Sequence, residues 1–153
     1  MELAIRAVDE NNWRQAAALK VADNQADYIE SNLYSIAQSK FETWWHSLAL
    51  YDGDVLVGYA MFGAYSEKHQ TAWLDRFMIG EAFQGKGYAK QFIPLLLGEV
   101  RRKYPCKRIL LSVVPENKVA IRMYEKFGFR FNGEIDDTEI VAGHVMELCL
   151  HDR

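Results

Sequence analysis

The chain has 153 residues, half of them hydrophobic and 25% charged, with a formal net charge of −3, which suits one soluble domain over residues 1–153 with enough chain to bury a core. The acidic balance argues against a nucleic-acid partner and favours a cationic one. No apolar run approaches the ~18 residues needed to cross a bilayer, and MELAIRAVDENN lacks the basic and apolar blocks of a signal peptide, so a cytoplasmic protein with no membrane partner is expected.

In chain order, LAIRAV alternates as a strand, and Asp9 to Asn12 supply cap-type residues for a helix starting near Trp13. In NQADYIESNLYSIAQSK the apolar Ala26, Ile29, Leu33, Ile36 and Ala37 recur at three- and four-residue steps. This spacing predicts one helix with Asp27 and Glu30 a turn apart on its flank. SLALYDGDVLVGYAMFGAY gives two apolar runs joined by a tight turn at Asp52, Gly53 and Asp54, and TAWLDRFMI adds a third strand to an antiparallel meander. Ala89, Phe92, Ile93, Leu96, Leu97 and Val100 then mark the buried stripe of a helix that packs on the meander and runs to about Lys103. Pro94 inside it lacks an N–H and crowds the carbonyl of Lys90, so a bend is expected there. KRILLSVVP reads as a short buried strand, and NKVAIRMYEKFG as a helix capped by Asn117 and stopped by Gly128. FRFNGEI and VMELCL are two closing strands, giving an α+β order of meander, helix, strand, helix and hairpin. Cys106 and Cys149 form no C-x-x-C and the histidines show no paired ligand spacing, so neither disulfide nor metal is expected.

The glycine-rich stretch GEAFQGKGYAK carries the first chemical signal. Gly80, Gly85 and Lys86 match a nucleotide phosphate loop until Gly87, which stands where the metal-binding Ser or Thr belongs. The dinucleotide fingerprint fails too, because Lys90 occupies its last glycine position. What survives is a strand-to-helix loop with unpaired backbone N–H groups and a helix dipole, a seat for an anion without a metal. On the later helix Asn117, Ala120, Ile121 and Tyr124 share one face, while Lys118, Arg122, Glu125 and Lys126 take the other. From that helix alone, capping by Asn117 and packing by Tyr124 account for the pattern.

Two motifs taken together say more. Q-x-x-G-x-A at Gln84, Gly87 and Ala89, followed by N-x-x-A-x-x-x-Y-x-x-x-G-F at Asn117, Ala120, Tyr124, Gly128 and Phe129, resembles the GNAT superfamily of N-acetyltransferases, which bind acetyl-CoA. The specific match runs from about Trp73 to Gly133. The resemblance implies a mixed, mostly antiparallel sheet of about six to seven strands flanked by about four helices and splayed at the acetyl-CoA site. It also implies that backbone N–H groups of Gln84, Gly85, Lys86, Gly87, Tyr88 and Ala89 hold the pyrophosphate. Lys86 and Lys90 either add charge there or stay solvated. By the same similarity the backbone of Phe77 and Ile79 pairs with the pantetheine arm, which passes beside Ala120, and Met78 and Asn117 belong to the cofactor-binding residues.

Acetyl transfer needs a neutral amine, yet an alkylamine of pKa ~10.4 is neutral in only about one part in a few thousand at pH 7. Asp75 stands where several family members carry the acid assigned as base; its alternatives are a salt bridge or a purely substrate-binding charge. Tyr124 matches the family's general acid. A phenol near ~10 is a weaker acid than a thiol near ~8.5, so hydrogen bonding to the developing thiolate is a sufficient role. NQADYIES, LDRF and RFNGEI look similar to the bacterial spermine and spermidine acetyltransferase branch. That likeness implies a polyamine acceptor held by Asp27, Glu30 and Asp75, with Tyr28 and Trp73 against its chain or its charge. Asp136, Asp137 and Glu139 either join them or are solvated surface. Direct attack in a ternary complex and a homodimer are implied as well. The alternatives are another small amine, a drug or a protein amine as acceptor, or an acetyl-CoA-binding sensor without turnover.

Overall fold

The computed structural model describes residues 1–151. Strands β1 (Leu3–Ala7), β2 (Trp45–Asp52), β3 (Val55–Ser66) and β4 (Thr71–Ile79) form the expected antiparallel meander. Its first hairpin closes on Gly53, whose φ of +59° suits the two-residue turn. β5 (Arg108–Val113) runs parallel to β4, and β6 (Arg130–Asp136) and β7 (Gly143–Cys149) complete the sheet. The order is β1-β2-β3-β4-β5-β7-β6, so β7 inserts between its two predecessors and, among the described residues, β6 pairs with β7 alone.

Helices cover both faces. On one lie α1 (Trp13–Ala18) and α2 (Asn32–Phe41), packed over Ala49, Tyr51, Tyr59 and Met61; on the other lie α3 (Tyr88–Lys103) and α4 (Lys118–Lys126), packed over Leu48, Leu50, Ala60 and Phe62. The alternation along β2 and β3 therefore splits their side chains between two cores, which explains why both strands read as nearly continuous apolar runs. On α3 the fully buried Phe92, Ile93, Leu96 and Val100 form the expected stripe, and the helix runs unbroken past the exposed Pro94. Among the described residues no helix is long and apolar enough to cross a membrane.

Two local expectations are corrected. The stretch Asn24 to Lys40 is not one helix: a 3-10 turn occupies Asp23–Gln25, and α2 begins only at Asn32. Ser31 is extended, with ψ 153°, and its Oγ accepts the N–H of Tyr34 at 3.1 Å, an N-cap that resets the start. Asp27 and Glu30 consequently share no helix flank, Asp27 being exposed and Glu30 buried. Asn12 does not cap α1 with its side chain either: its Oδ1 accepts the N–H of Asp9 at 2.8 Å and its Nδ2 donates to the carbonyl of Ala7 at 3.1 Å, locking the turn after β1.

Phe92 is fully buried between α3 and the sheet, so Phe92→Ala is expected to cost about 3–5 kcal/mol. Urea unfolding should show this as a lower midpoint at an unchanged slope.

Candidate active site

β4 and β5 pair only from Thr71 to Trp73 against Arg108 to Leu110. Beyond those residues the two parallel strands part, and Leu74 to Ile79 on one side and Leu111 to Val114 on the other line a cavity of about 590 Å³. The splay follows from divided partners, since β4 continues along β3 while β5 continues along β7. Backbone groups of Phe77 and Ile79 thus face the unpaired β5 side, whereas those of Met78 face Tyr59 on β3, a correction to its expected pairing with the arm.

One end of the cavity is the glycine loop. Gly85 and Gly87 have φ of +78° and +85°, a region that penalises any residue with a Cβ, and a Cβ at Gly85 would meet nothing within 4 Å. Gly87 is the N-cap of α3 and offers no side chain to the first turn. Among the described residues the N–H groups of Gly85, Lys86, Gly87, Tyr88 and Ala89 reach no backbone acceptor outside their helix. Orphan donors and the positive end of the dipole are therefore presented together. Gln84 is braced instead: its N–H goes to the carbonyl of Glu81 at 3.3 Å, and its side-chain amide donates to the carbonyl of Ile79 and to Gln25 Oε1, both at 2.9 Å. The open donors consequently begin at Gly85. Tyr88 donates its hydroxyl to Asp52 at 2.5 Å, tying the start of α3 to the first hairpin. Lys86 and Lys90 are exposed, and only Lys90 lines the cavity.

The middle wall is α4. Asn117 caps it through Oδ1, 3.4 Å from the N–H of Ala120, and Asn117, Ala120 and Tyr124 all border the cavity. The Tyr124 ring packs edge-on against Phe129 with centroids 5.6 Å apart. Burial raises the pKa of its hydroxyl, and no hydrogen-bond partner for that hydroxyl is found among the described residues. It is a neutral donor without a protein acceptor.

The far end is a charge cluster. Arg76, whose side chain is 2% exposed, lies among Asp75, Glu30 and Glu139. Its Nη1 contacts Asp75 Oδ2, its Nη2 donates to Gln38 Oε1 at 3.1 Å and lies 3.5 Å from Glu139 Oε2, and its Nε is 3.2 Å from Glu30 Oε1 without hydrogen-bond alignment. Glu30 also accepts the N–H of Val141 at 3.2 Å. Burial, opposed by Arg76 and reinforced by Glu139, Asp136 and Glu30, raises the Asp75 carboxyl to about 7.

Of the acceptor residues expected from sequence, Tyr28, Glu30, Asp75, Asp136 and Glu139 border this cavity; Asp27, Trp73 and Asp137 do not. Trp73 instead packs beside the α1–α2 core. Sequence reasoning passed over Arg76, Gln25 and Gln38. A charged residue inside the apolar strand TAWLDRFMI was the available signal for Arg76, because a buried cation demands partners.

The acetyltransferase (GNAT) family model matches residues 9–129. The chain belongs to this family. It is 40% identical over 141 residues to the spermine/spermidine N(1)-acetyltransferase of Bacillus subtilis (strain 168), covering 89% of this chain and 93% of that protein. A mycothiol acetyltransferase of Corynebacterium efficiens shares 30% over 99 residues, 61% of this chain and 32% of that protein. The fold matches the crystal structure of spermidine N-acetyltransferase from Vibrio cholerae in complex with CoA and spermine, at TM-score 0.78 and 22% identity, over 97% and 95% of the two chains. This GNAT chain is thus an acyltransferase with the mixed, splayed sheet of its family.

Gly87→Ala forces a Cβ into the left-handed region at the head of α3. It is expected to cost about 1–2 kcal/mol, read as a lower melting temperature, and to weaken coenzyme A binding by calorimetry.

Proposed function

We propose that this chain is an acetyl-CoA-dependent N-acetyltransferase whose acceptor is a polyamine of the spermine or spermidine type, acting as a single domain by direct attack in a ternary complex. One observation carries the acceptor assignment. Asp75, Glu30, Glu139 and Asp136 bear on one end of the cavity with Arg76 as the cation among them, leaving three negative charges in excess when all are ionised. A polyamine reacts at one nitrogen and keeps its others protonated, so it needs such an excess beyond the reacting end. The 40% identity to an enzyme named for spermine and spermidine supports the same acceptor class.

The donor end fits coenzyme A. N–H groups from Gly85 to Ala89 are open to the pyrophosphate, with Lys90 beside them, and the unpaired side of β4 at Phe77 and Ile79 suits the amide-bearing arm. Bound acetyl-CoA supplies an activated acetyl thioester. At the other end Asp75, raised to about 7, is matched to accept a proton from the incoming ammonium near neutral pH. Tyr124 keeps its proton and offers the hydroxyl as a donor to a sulfur on which negative charge grows. A cytoplasmic location and a homodimer complete the reading.

Thiol release across spermine, spermidine, a monoamine and a peptide amine tests the acceptor. Spermine and spermidine should give the highest kcat/KM, with KM rising as salt screens the carboxylates. A monoamine or peptide amine that reacts equally well removes the polyamine assignment and leaves the acetyltransferase intact.

Asp75→Asn should lower kcat by about 10²–10⁴ and abolish the acidic limb of the pH profile, since wild-type activity fails as that carboxylate gains its proton below about pH 7. Tyr124→Phe keeps the ring and should lower kcat while leaving the KM for acetyl-CoA nearly unchanged.

A further inference from the structure

In a regular strand neighbouring side chains point to opposite faces, so Asp75 and Arg76 ought not to meet. The ladder between β3 and β4 slips between them: Met61 is opposite Arg76 while Phe62 is opposite Leu74, leaving Asp75 as the extra residue of a β-bulge. The slip shows in the packing as well. Ala72 and Leu74 before it, and Phe77 and Ile79 after it, all face the core under α3 and α4, a reversal of phase by one residue. The bulge brings the Asp75 carboxylate and the Arg76 guanidinium together at the cavity wall. The guanidinium is itself held from two further directions, by Glu30 and Gln38 on the α2 side and by Glu139 from the segment after β6.

We propose that Arg76 is the positioning residue for the base, using the bulge contact to fix the Asp75 carboxylate at the cavity and to stabilise its charged form. The proposal rests on the reading of Asp75 as the base. The groups that face Asp75 are the carboxylates of Glu30, Asp136 and Glu139, the Tyr59 hydroxyl from β3, and Arg76. Burial and the three carboxylates all favour the protonated acid, and Arg76 alone opposes them. Tyr59 is a neutral phenol bonded to Ser47 Oγ at 2.6 Å and supplies no countercharge. Without the guanidinium every remaining influence acts in one direction, and the carboxyl would hold its proton at the pH where the amine must lose one.

The experiment is the pH dependence of kcat/KM for spermine in wild type, Arg76→Gln, Arg76→Lys and Asp75→Asn. Arg76→Gln should move the acidic limb to higher pH by about 1–3 units, with much of the lost rate recovered on the alkaline plateau. Arg76→Lys keeps the charge without the planar fork; it should bring the limb most of the way back while kcat stays below wild type. A structural role alone would lower the rate by one factor at every pH with the limb unmoved, and that result overturns the proposal. If Asp75→Asn retains the limb, Asp75 is not the base and both readings fall. If Asp75→Asn loses the limb and Arg76→Gln leaves it in place, this inference alone fails. Should Arg76→Gln not fold, the double variant with Glu139→Gln removes one charge of each sign. Its limb should still move upward, because Arg76 influences Asp75 more than Glu139 does, and an unmoved or lowered limb overturns the proposal equally.

Discussion

A guanidinium removed from water has to be answered by negative charge and hydrogen-bond acceptors, and that requirement organises the acceptor end of this enzyme. Arg76 draws a carboxylate from its own strand, another from the turn before α2, a third from the segment between β6 and β7, and an amide oxygen from α2. The segment before α2 and α2 itself also share an apolar core with β4 through Ile29, Ile36 and Met78, and the ion cluster adds Glu139 to them. Gln38 strengthens it by donating to Glu139 at 3.1 Å, and Glu30 by receiving the backbone of Val141. A buried ion cluster is poor value as a source of stability, since desolvation offsets most of its Coulomb energy. Its retention is better understood through the field it sets at the cavity.

The cavity has opposite electrical character at its two ends because two unrelated pieces of backbone geometry meet there. At the donor end, left-handed glycines turn N–H groups and a helix dipole outward. At the acceptor end, a strand irregularity turns a carboxylate inward. Between them β4 and β5 diverge, so the strand that carries the acid also has main-chain groups without a strand partner. Under the proposed function, that one strand registers both reactants against each other. Tyr124 stands on the helix that covers this gap, close to where the two must meet.

Much of this was legible in the residues. Apolar runs from Ser47 to Tyr65, joined by the turn at Asp52 to Asp54, and from Thr71 to Ile79 located the meander, and Asn117 with Gly128 bracketed α4 as cap and stop. The left-handed turns of the glycine loop were legible because glycine at Gly85 and Gly87 reports a backbone need directly. The segment around Asp27 misled because Ala26, Ile29, Leu33 and Ile36 keep a helical period that the chain does not use. Ser31 offered a competing cap, and Leu33 ends up 56% exposed. The pairing of Asp75 with Arg76 was not legible, because strand periodicity places consecutive residues on opposite faces and nothing in LDRF announces a bulge. Glu139 joins the site only through long-range topology, which no local pattern encodes.

The placement of β7 between β5 and β6 also governs the order in which the molecule is assembled. As the chain emerges from synthesis, β2 to β4 can zip into consecutive hairpins with β1 added along β2 across the α1–α2 segment, and β5 can dock on β4 after α3 has formed. β6 must then wait, for β7, its neighbour in the sheet, has not yet been made. Until β7 arrives, β5 keeps an unpaired edge, Phe131 and Ile135 on β6 have no sheet beneath them, and Glu139 has no fixed position from which to meet Arg76. Pairing that depends on such distant segments is intrinsically slow and leaves strand edges exposed in the interval. The fold thus postpones the completion of its charge cluster to the last step of assembly, and a nascent chain halted before β7 would hold the donor loop but lack a finished acceptor end.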